Sequence, residues 1–300
     1  MMKLAFSTNA FKKYTLVESI RLIREIGYDG VEILCDIPHA YPSCLDENDI
    51  LSIEETLSKN NIEISNLNAF TLYAINDVYH PSWIETDDQL RELRIGHTIN
   101  CLCLARKIGA KNISTEPGGP IEVDNKNLRV RWKNGNDDDN SNNHVSYDIG
   151  ALQQLFIDGI GRCSKVAEKY GVKILVEPEP GLLLENSEQF LTFIKNINSE
   201  YVGLNFDMGH FFCVGEDPAQ LIYNLSEHIG HFHLADIAST RVHNHLIPGQ
   251  GAIDFRTIFK AINQINYDGF ITVELYPYQD DPVYAARVSH RYLTNLISQI

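Results

Sequence analysis

The chain has 300 residues, enough for one large domain with a single core. Its 44% hydrophobic and 22% charged residues are ordinary for a globular protein, and no apolar run approaches the roughly 18 residues that a membrane helix needs. A formal net charge of −15 argues against a nucleic-acid-binding protein, which usually presents a basic face to phosphates.

The N-terminal residues and the cysteines indicate the cellular compartment of the protein. The opening letters MMKLAFSTNA contain one lysine and an apolar stretch too short for a signal peptide, and they predict a first strand instead. The six cysteines are scattered without a C-x-x-C pair, which favours reduced, buried thiols. We therefore expect a cytoplasmic protein with no membrane partner. The sequence leaves open whether it is a monomer or a homo-oligomer.

Short apolar runs alternate with amphipathic stretches along the whole chain. Strands are predicted at residues 3–8, 30–35, 62–70, 111–116, 172–177, 201–207, 230–236 and 269–275. Helices are predicted at residues 15–27, 46–60, 87–109, 148–170, 187–197, from 217 onward, 254–265 and 282–299. Strands that alternate with helices pair in parallel, and eight such units predict an α/β fold, a (β/α)₈ TIM barrel forming one domain over residues 1–300. A doubly wound sheet would normally show a glycine-rich turn after the first strand, and STNAFKKY has none.

Several polar residues are predicted to cap these helices. Thr15 with Glu18, and Asn186 with Gln189, have the spacing of capping boxes. Asp217 before Pro218, and Asp254, are expected N-caps.

One segment interrupts the alternation. Residues 120–147 are polar and rich in Asn and Asp, and they separate the fourth strand from its helix. That connection lies on the face where barrels carry their active sites. The segment is therefore predicted to be either a surface insert or a lid over the site.

Polar residues recur at the ends of the later strands: Glu116, Glu177, Asp207, His233 and Glu274. In a closed barrel the last four converge on one point, where three carboxylates would repel each other unless a cation lay between them. We predict that these four bind one divalent metal ion. Oxygen donors with one imidazole favour Mn²⁺ or Mg²⁺, with Zn²⁺ or Co²⁺ as alternatives. His231, two residues before His233, is expected to be a core or supporting imidazole.

Several motifs along the chain are similar to those of the xylose isomerase-like TIM barrels, a superfamily of sugar isomerases and epimerases, sugar-acid dehydratases and apurinic-site endonucleases. The motifs are GYDGVEI (27–33), VEPEPG (176–181), FDMGH (206–210), HFHLAD (231–236), HLIPGQG (245–251) and VEL (273–275). The resemblance covers essentially the whole chain.

The resemblance implies a site and a reaction. Glu177, Asp207, His233 and Glu274 would hold the metal ion, and His210 would contact the substrate or bind a second metal. Glu177 and Glu274 would also be the catalytic groups that move a proton by way of a metal-stabilised enediolate. The expected protein is a sugar, sugar-acid or sugar-phosphate isomerase or epimerase with a small carbohydrate substrate.

The chain also departs from the superfamily patterns. The endonucleases typically have a His in place of Glu116, and Asp-Arg-His in place of the HNH at 243–245. Glu116 is therefore assigned to substrate binding, with a role as an extra ligand left open. The epimerases usually carry an Arg after the strand-seven His, and the nearest here is Arg241, which could equally be a solvated loop residue.

His243 and His245 are metal ligands, substrate contacts or exposed loop residues; we assign His243 to substrate binding. Glu179 is expected to shape the rim of the site and contact substrate. The PGQG at 248–251 is a weak candidate for a phosphate site.

Three other functions stay open. A lyase or dehydratase on a small keto-polyol would use the same metal site, and product analysis would separate it from an isomerase. An apurinic-site endonuclease is less consistent with the net charge. A non-catalytic protein would bind metal or sugar without turnover.

Overall fold

A computed structural model describes residues 2–124, 127–130 and 148–300, and eight parallel strands in it form a closed barrel. These strands are β1 (Lys3–Ser7), β2 (Gly30–Leu34), β3 (Glu63–Asn68), β4 (Asn112–Thr115), β7 (Lys173–Val176), β8 (Val202–Asp207), β9 (Ile229–Leu234) and β10 (Phe270–Val273). The first strand pairs with the last, and the order around the barrel is β1-β10-β9-β8-β7-β4-β3-β2. The predicted (β/α)₈ barrel is confirmed.

Helices cover the outside of the barrel. They are α1 (Leu16–Ile26), α2 (Glu47–Asn60), α3 (Asp88–Ile108), α4 (Ile149–Tyr170), α5 (Ser187–Asn196), α6 (Met208–Cys213), α7 (Pro218–Asn224), α8 (Phe255–Gln264) and α9 (Pro282–Ile297). The short helix α6 was not predicted; it begins directly after β8. No helix in the described part of the chain is both long and apolar enough to span a bilayer.

The predicted caps are present with one difference. Thr15 and Glu18 form the expected capping box, and Asp217 and Asp254 cap α7 and α8. The Asn186 side chain accepts from the Gln189 amide, but the Gln189 side chain accepts from the Glu185 amide rather than from that of Asn186. The second predicted box is therefore only half formed.

The predicted insert at 120–147 lies largely outside the described residues. Its described backbone includes an antiparallel hairpin of β5 (Ile121–Asp124) and β6 (Asn127–Val130). Whether the segment is a lid stays a prediction.

The barrel interior is largely polar, whereas the apolar core lies between the strands and the helices. Inside the barrel, Asn66 donates to Glu32 at 2.7 Å and to Ser114 at 2.8 Å. His231 is buried and its Nδ1 lies 2.8 Å from Asn205 Oδ1, which confirms its predicted place in the core. Because these polar groups bond to one another, buried carboxylates and imidazoles are tolerated nearby.

Candidate metal centre and cavity

The four predicted metal ligands lie together at the C-terminal end of the barrel. Asp207 is paired with His233 across β8 and β9, and Glu177 and Glu274 directly follow β7 and β10. Each contributes a donor atom, and these atoms all lie within 4.8 Å of one another. All four side chains are buried. The structure therefore brings together four residues that could hold one metal ion, and we call this candidate site the metal centre.

The orientation of His233 is set from both sides of its ring. Its Nδ1 lies 3.0 Å from Glu177 Oε1 and 3.6 Å from Glu274 Oε2, and its Nε2 lies 2.7 Å from Glu32 Oε2. A histidine that binds a metal ion through one ring nitrogen usually donates a hydrogen bond from the other nitrogen, often to a carboxylate, which fixes the orientation of the ring. Glu32 was not among the predicted site residues, although it lies in the GYDGVEI motif.

Amide side chains hold the two glutamates. Asn205 donates to Glu177 Oε2 at 2.7 Å, whereas Asn9 and Asn68 donate to Glu274 Oε1 at 2.8 and 3.2 Å. In each glutamate the other oxygen faces His233. One oxygen of each carboxylate is thus oriented by the protein, and the second is directed toward the common point.

Asp207 tests whether this site fits a cation. Its Oδ1 accepts from the His210 amide at 2.8 Å and caps α6. Its Oδ2 is buried and has no hydrogen-bond partner within the described residues. Burying a carboxylate oxygen unpaired is costly, and a bound divalent cation would satisfy it. The donor set, three carboxylates and one imidazole, therefore fits such an ion.

The pKa values of the metal-free site reflect its crowding. Burial and the nearby Glu177 and Glu32 carboxylates raise the pKa of Glu274 to about 8, against the opposing effect of His233. Burial also lowers the pKa of His233, but Glu177, Glu32 and Glu274 outweigh it and raise that pKa well above its ordinary value. Without a metal ion, the site retains protons that a cation would displace.

A second group lies beside the first and consists of His210, His243 and His245, which we call the histidine group. One nitrogen of each lies within 4.8 Å of the others. The Nδ1 atoms of His210 and His245 each lie 2.9 Å from a backbone carbonyl, that of Pro178 and that of Glu274. Among the described residues, Nε2 of His210 has no hydrogen-bond partner, whereas Nε2 of His245 lies 3.2 Å from Nε2 of His243. His210 lies in the short helix α6.

The histidine group has a different protonation from the metal centre. Burial, with the neighbouring His210 and His245, lowers the pKa of His243 to about 2, and burial lowers that of His245 to about 4. Their Nε2 atoms lie 3.2 Å apart, which requires one ring to donate and the other to accept. Both rings are thus neutral at neutral pH.

Glu179 lies at the edge of the histidine group, and its role at the rim of the site and in substrate contact stays a prediction. Its Oε1 accepts from the Tyr79 hydroxyl at 2.7 Å and lies 3.6 Å from His243 Nδ1. Burial raises the pKa of Glu179 to about 7.

These groups line one cavity with a volume of about 200 Å³. Glu177, Glu274 and the histidine group contribute polar atoms, and Phe70, Tyr73, Tyr79 and Tyr276 contribute aromatic surface. Aromatic rings beside convergent polar groups are typical of sites for small ligands.

Glu116 lies elsewhere, in disagreement with its predicted contact with substrate. It is buried, accepts from Ser82 Oγ and the Trp83 amide at 3.2 Å each, and lies 3.8 Å from Arg94 Nε. It is absent from the cavity lining formed by the described residues. Its carboxylate instead holds the connection between β3 and α3.

Backbone amides of the PGQG segment form hydrogen bonds within the protein. The amides of Gly249 and Gly251 donate to Asp236 Oδ2 at 2.9 and 2.8 Å. A Cβ at Gly251 would lie 2.3 Å from Asp236 Oδ1, so this close approach requires glycine. Since Asp236 occupies these amides, they are unavailable to a phosphate.

Arg241 is directed away from the cavity. Its guanidinium lies 4.7 Å from the centre of the Phe212 ring, and its Nη1 donates to the Phe212 carbonyl at 3.2 Å. It is the exposed loop residue that the sequence left as one of two alternatives.

With this barrel and site, comparison with known proteins assigns a family. The model of the xylose isomerase-like TIM barrel matches residues 20–296, and the chain belongs to that family. An inosose dehydratase of Clostridium beijerinckii is 29% identical over 148 residues, 44% of this chain and 49% of the relative. The chain thus spans about half the length of the inosose dehydratases it matches. An uncharacterised protein of Methanocaldococcus jannaschii is 26% identical over 91% of this chain and 83% of its own.

Solved structures with the same fold are more distant in sequence. A D-tagatose 3-epimerase-like protein has a TM-score of 0.75 at 22% identity, covering 99% of both chains. The IOLI protein with a bound zinc atom has a TM-score of 0.75 at 20% identity, covering 99% of both. A 3-keto-D-glucoside 4-epimerase from E. coli has a TM-score of 0.76 at 19% identity, covering 98% of this chain and 100% of its own. These likenesses establish the fold.

Proposed function

We propose that the protein is a divalent-metal-dependent sugar isomerase or epimerase that moves a proton at a carbon next to a carbonyl. The observation that carries this proposal is the convergence of Glu177, Asp207, His233 and Glu274 beside a small cavity, which Glu177 and Glu274 line. The zinc atom in the IOLI protein supports a divalent ion in this type of barrel. The oxygen-rich donor set favours Mn²⁺ or Mg²⁺ here.

The two glutamates would carry out the two steps of the proton transfer. A divalent ion in this site would polarise a substrate carbonyl and its neighbouring hydroxyl. Glu177 and Glu274 both line the cavity, and each keeps one oxygen free of the asparagines that orient the other. One would take the proton from the substrate carbon and the other would return it.

The substrate would also contact the histidine group and its neighbour. His210 Nδ1 is bound to the Pro178 carbonyl, and Nε2 has no hydrogen-bond partner among the described residues, so Nε2 would bind a substrate hydroxyl. Glu179 and His243 line the same cavity and would orient further hydroxyls. The aromatic rings would cover the apolar face of a small carbohydrate.

A dehydratase is the second candidate. Inosose dehydratases are among the relatives, and the same metal site would acidify a carbon next to a carbonyl. Loss of water then requires a proton donor for the leaving hydroxyl. His210 lies beside the metal centre, and Asp207 and Glu179 raise its pKa against the effect of burial, so it could supply that proton.

Solvent deuterium incorporation tests the proposal. The Mn²⁺-loaded protein would be incubated in D₂O with a panel of ketoses, keto acids and inososes, and products analysed by NMR and mass spectrometry. We expect deuterium at one carbon next to a carbonyl, and no incorporation after chelation or with Glu177→Gln. Epimerised product indicates the isomerase, and a product lighter by one water indicates the dehydratase. Absence of exchange across the panel with metal bound would overturn both.

A further inference from the structure

Lys12 occupies an unusual position in this acidic cavity. Among the residues that the structure describes, it is the only lysine or arginine in the cavity lining. It follows a turn in which the Phe11 amide donates to the Thr8 carbonyl at 2.8 Å, and Phe11 is fully buried. The backbone of Lys12 is therefore held by the core, and its half-buried side chain extends into the cavity.

The ammonium group of Lys12 has little bound to it. Its Nζ lies 4.3 Å from the centre of the Tyr73 ring, and Tyr73 is 41% exposed, which places the contact at the cavity mouth. Within the described ranges, Lys12 Nζ has no protein hydrogen-bond acceptor, although it carries three donors.

Burial lowers the pKa of the Lys12 ammonium group, and the nearby Asp36 and Glu274 carboxylates oppose this shift. The Asp36 carboxylate is already occupied by hydrogen bonds. It accepts from the Ile37 and Ala74 amides through Oδ1, and from the Thr71 hydroxyl and the Tyr73 amide through Oδ2. Asp36 thereby fixes the segment that carries the Tyr73 ring. The Lys12 ammonium group is therefore held beside the Tyr73 ring, and Asp36 does not form a hydrogen bond with it.

Other basic side chains around this end of the barrel have partners. Lys13 Nζ lies 2.5 Å from Asp280 Oδ1, and Arg94 donates to the carbonyls of Pro81 and Phe70. Neither Lys13 nor Arg94 lines the cavity. Lys12 is thus the described cation available to a ligand there.

We propose that Lys12 binds an anionic group of the substrate at the cavity mouth, and that the substrate is an acidic polyhydroxy compound carrying a carboxylate or a phosphate. This inference rests on the proposed function, because it takes the opposite end of the same molecule to lie at the metal centre. Lys12 would attract the acidic group to the cavity mouth, and this attraction would orient the substrate with its carbonyl end toward the metal centre.

Matched non-reactive ligands test this proposal by calorimetry. D-glucitol, D-gluconate and D-glucitol 6-phosphate would be titrated into the protein with and without Mn²⁺. The matched variants are Lys12→Met and Lys13→Met, since these adjacent lysines differ in whether they line the cavity. We expect at least one acid to bind wild type about tenfold or more tightly than glucitol, consistent with a charge-assisted hydrogen bond. Lys12→Met should remove that preference and Lys13→Met should keep it.

Several results would overturn the inference. They are equal affinities of wild type for the acids and for glucitol, no binding of either acid, or an equal loss of affinity for all ligands in Lys12→Met. The acid that shows the preference distinguishes carboxylate from phosphate. Failure of the proposed function would give a different result. If Lys12→Met lost the preference for the acid but no substrate showed deuterium exchange, the anion site would be supported and the proposed enzyme activity would be contradicted. Deuterium exchange on neutral sugars alone would support the proposed enzyme activity and contradict the anion site.

Discussion

The metal centre and the histidine group lie side by side, yet the protein supports them differently. The metal centre contains three carboxylates and one imidazole, and three of these four side chains are oriented by other side chains such as Glu32 and Asn205. In the histidine group, two of the three imidazoles are oriented by backbone carbonyls. Carboxylates gathered at one point need a cation, whereas neutral imidazoles satisfy each other by hydrogen bonds.

The consequence is a difference in what each group needs. Within the part of the chain that the structure describes, Asp207 Oδ2 is buried and has no hydrogen-bond partner, which a bound cation would supply. His243 and His245, by contrast, pair with each other at 3.2 Å. We therefore expect a metal ion to bind at the first group and substrate hydroxyls at the second.

Asp207→Asn provides the strongest test of this difference. Asparagine caps a helix as well as aspartate does, so α6 should persist while one negative charge is lost. Removing one charged partner from a buried cluster costs about 3–5 kcal/mol, so we expect Mn²⁺ affinity to fall more than 100-fold. Competition with a fluorescent chelator measures the affinity, and Asp217→Asn, at an exposed N-cap, is the matched control. Unchanged affinity with an intact fold would show that Asp207 is not a ligand.

Glu179→Gln tests the electrostatics at the edge of the histidine group. Because the pKa of Glu179 is raised from 4.5 to about 7 in the folded state, the folded protein holds this proton more tightly than the unfolded chain does. The resulting stabilisation is complete below pH 4.5 and is lost as the pH rises through 7. Relative to wild type, the variant should gain about 3 kcal/mol in free energy of unfolding over that range.

Urea denaturation of the chelator-treated protein at pH 5 and pH 8 measures this change. Glu168→Gln, at an exposed position on α4, provides the control and should show no such trend. A difference between Glu179→Gln and wild type that is the same at both pH values would contradict the assignment.

Glu32→Gln examines how the metal centre is supported without altering any of its four ligands. Glu32 lies 2.7 Å from His233 Nε2, and loss of such a supporting carboxylate typically weakens metal binding about 10–100-fold. The same chelator competition measures this effect, with Glu63→Gln at the exposed start of β3 as control. A loss below about threefold would indicate that His233 is held adequately by its other contacts.

The sequence predicted the residues of the metal centre better than the residues that support them. Glu177, Asp207, His233 and Glu274 could be predicted because barrel closure gives each strand end the same relation to the axis. Glu32 lies within the run GVEIL, which reads as a buried strand, and its contact with His233 exists only because β2 and β9 face each other across the barrel.

The same reasoning explains why Glu116, which was predicted to bind substrate, lies outside the cavity lining formed by the described residues. It follows β4 in the same way that Glu177 follows β7, so its local sequence is equivalent. Its partners, Ser82 and the Trp83 amide, come from an irregular connection whose path no local pattern encodes. The alternation of strands and helices, by contrast, depends on local periodicity, and there the predicted boundaries are close to the observed ones.

His243→Gln should have the smallest effect on metal binding. It tests whether the histidine group binds only substrate or also binds a metal ion. If the histidine group serves substrate only, wild type binds one Mn²⁺ per chain, and the variant binds it with affinity changed by less than about threefold, or about 0.7 kcal/mol. Metal analysis after gel filtration in Mn²⁺ or Zn²⁺ gives the stoichiometry, with the half-buried His228→Gln as control. Two ions in wild type falling to one in His243→Gln would show that the histidine group is itself a metal site. The paired Nε2 atoms of His243 and His245 would then be ligands rather than hydrogen-bond partners, and His210 would no longer be free for a sugar hydroxyl.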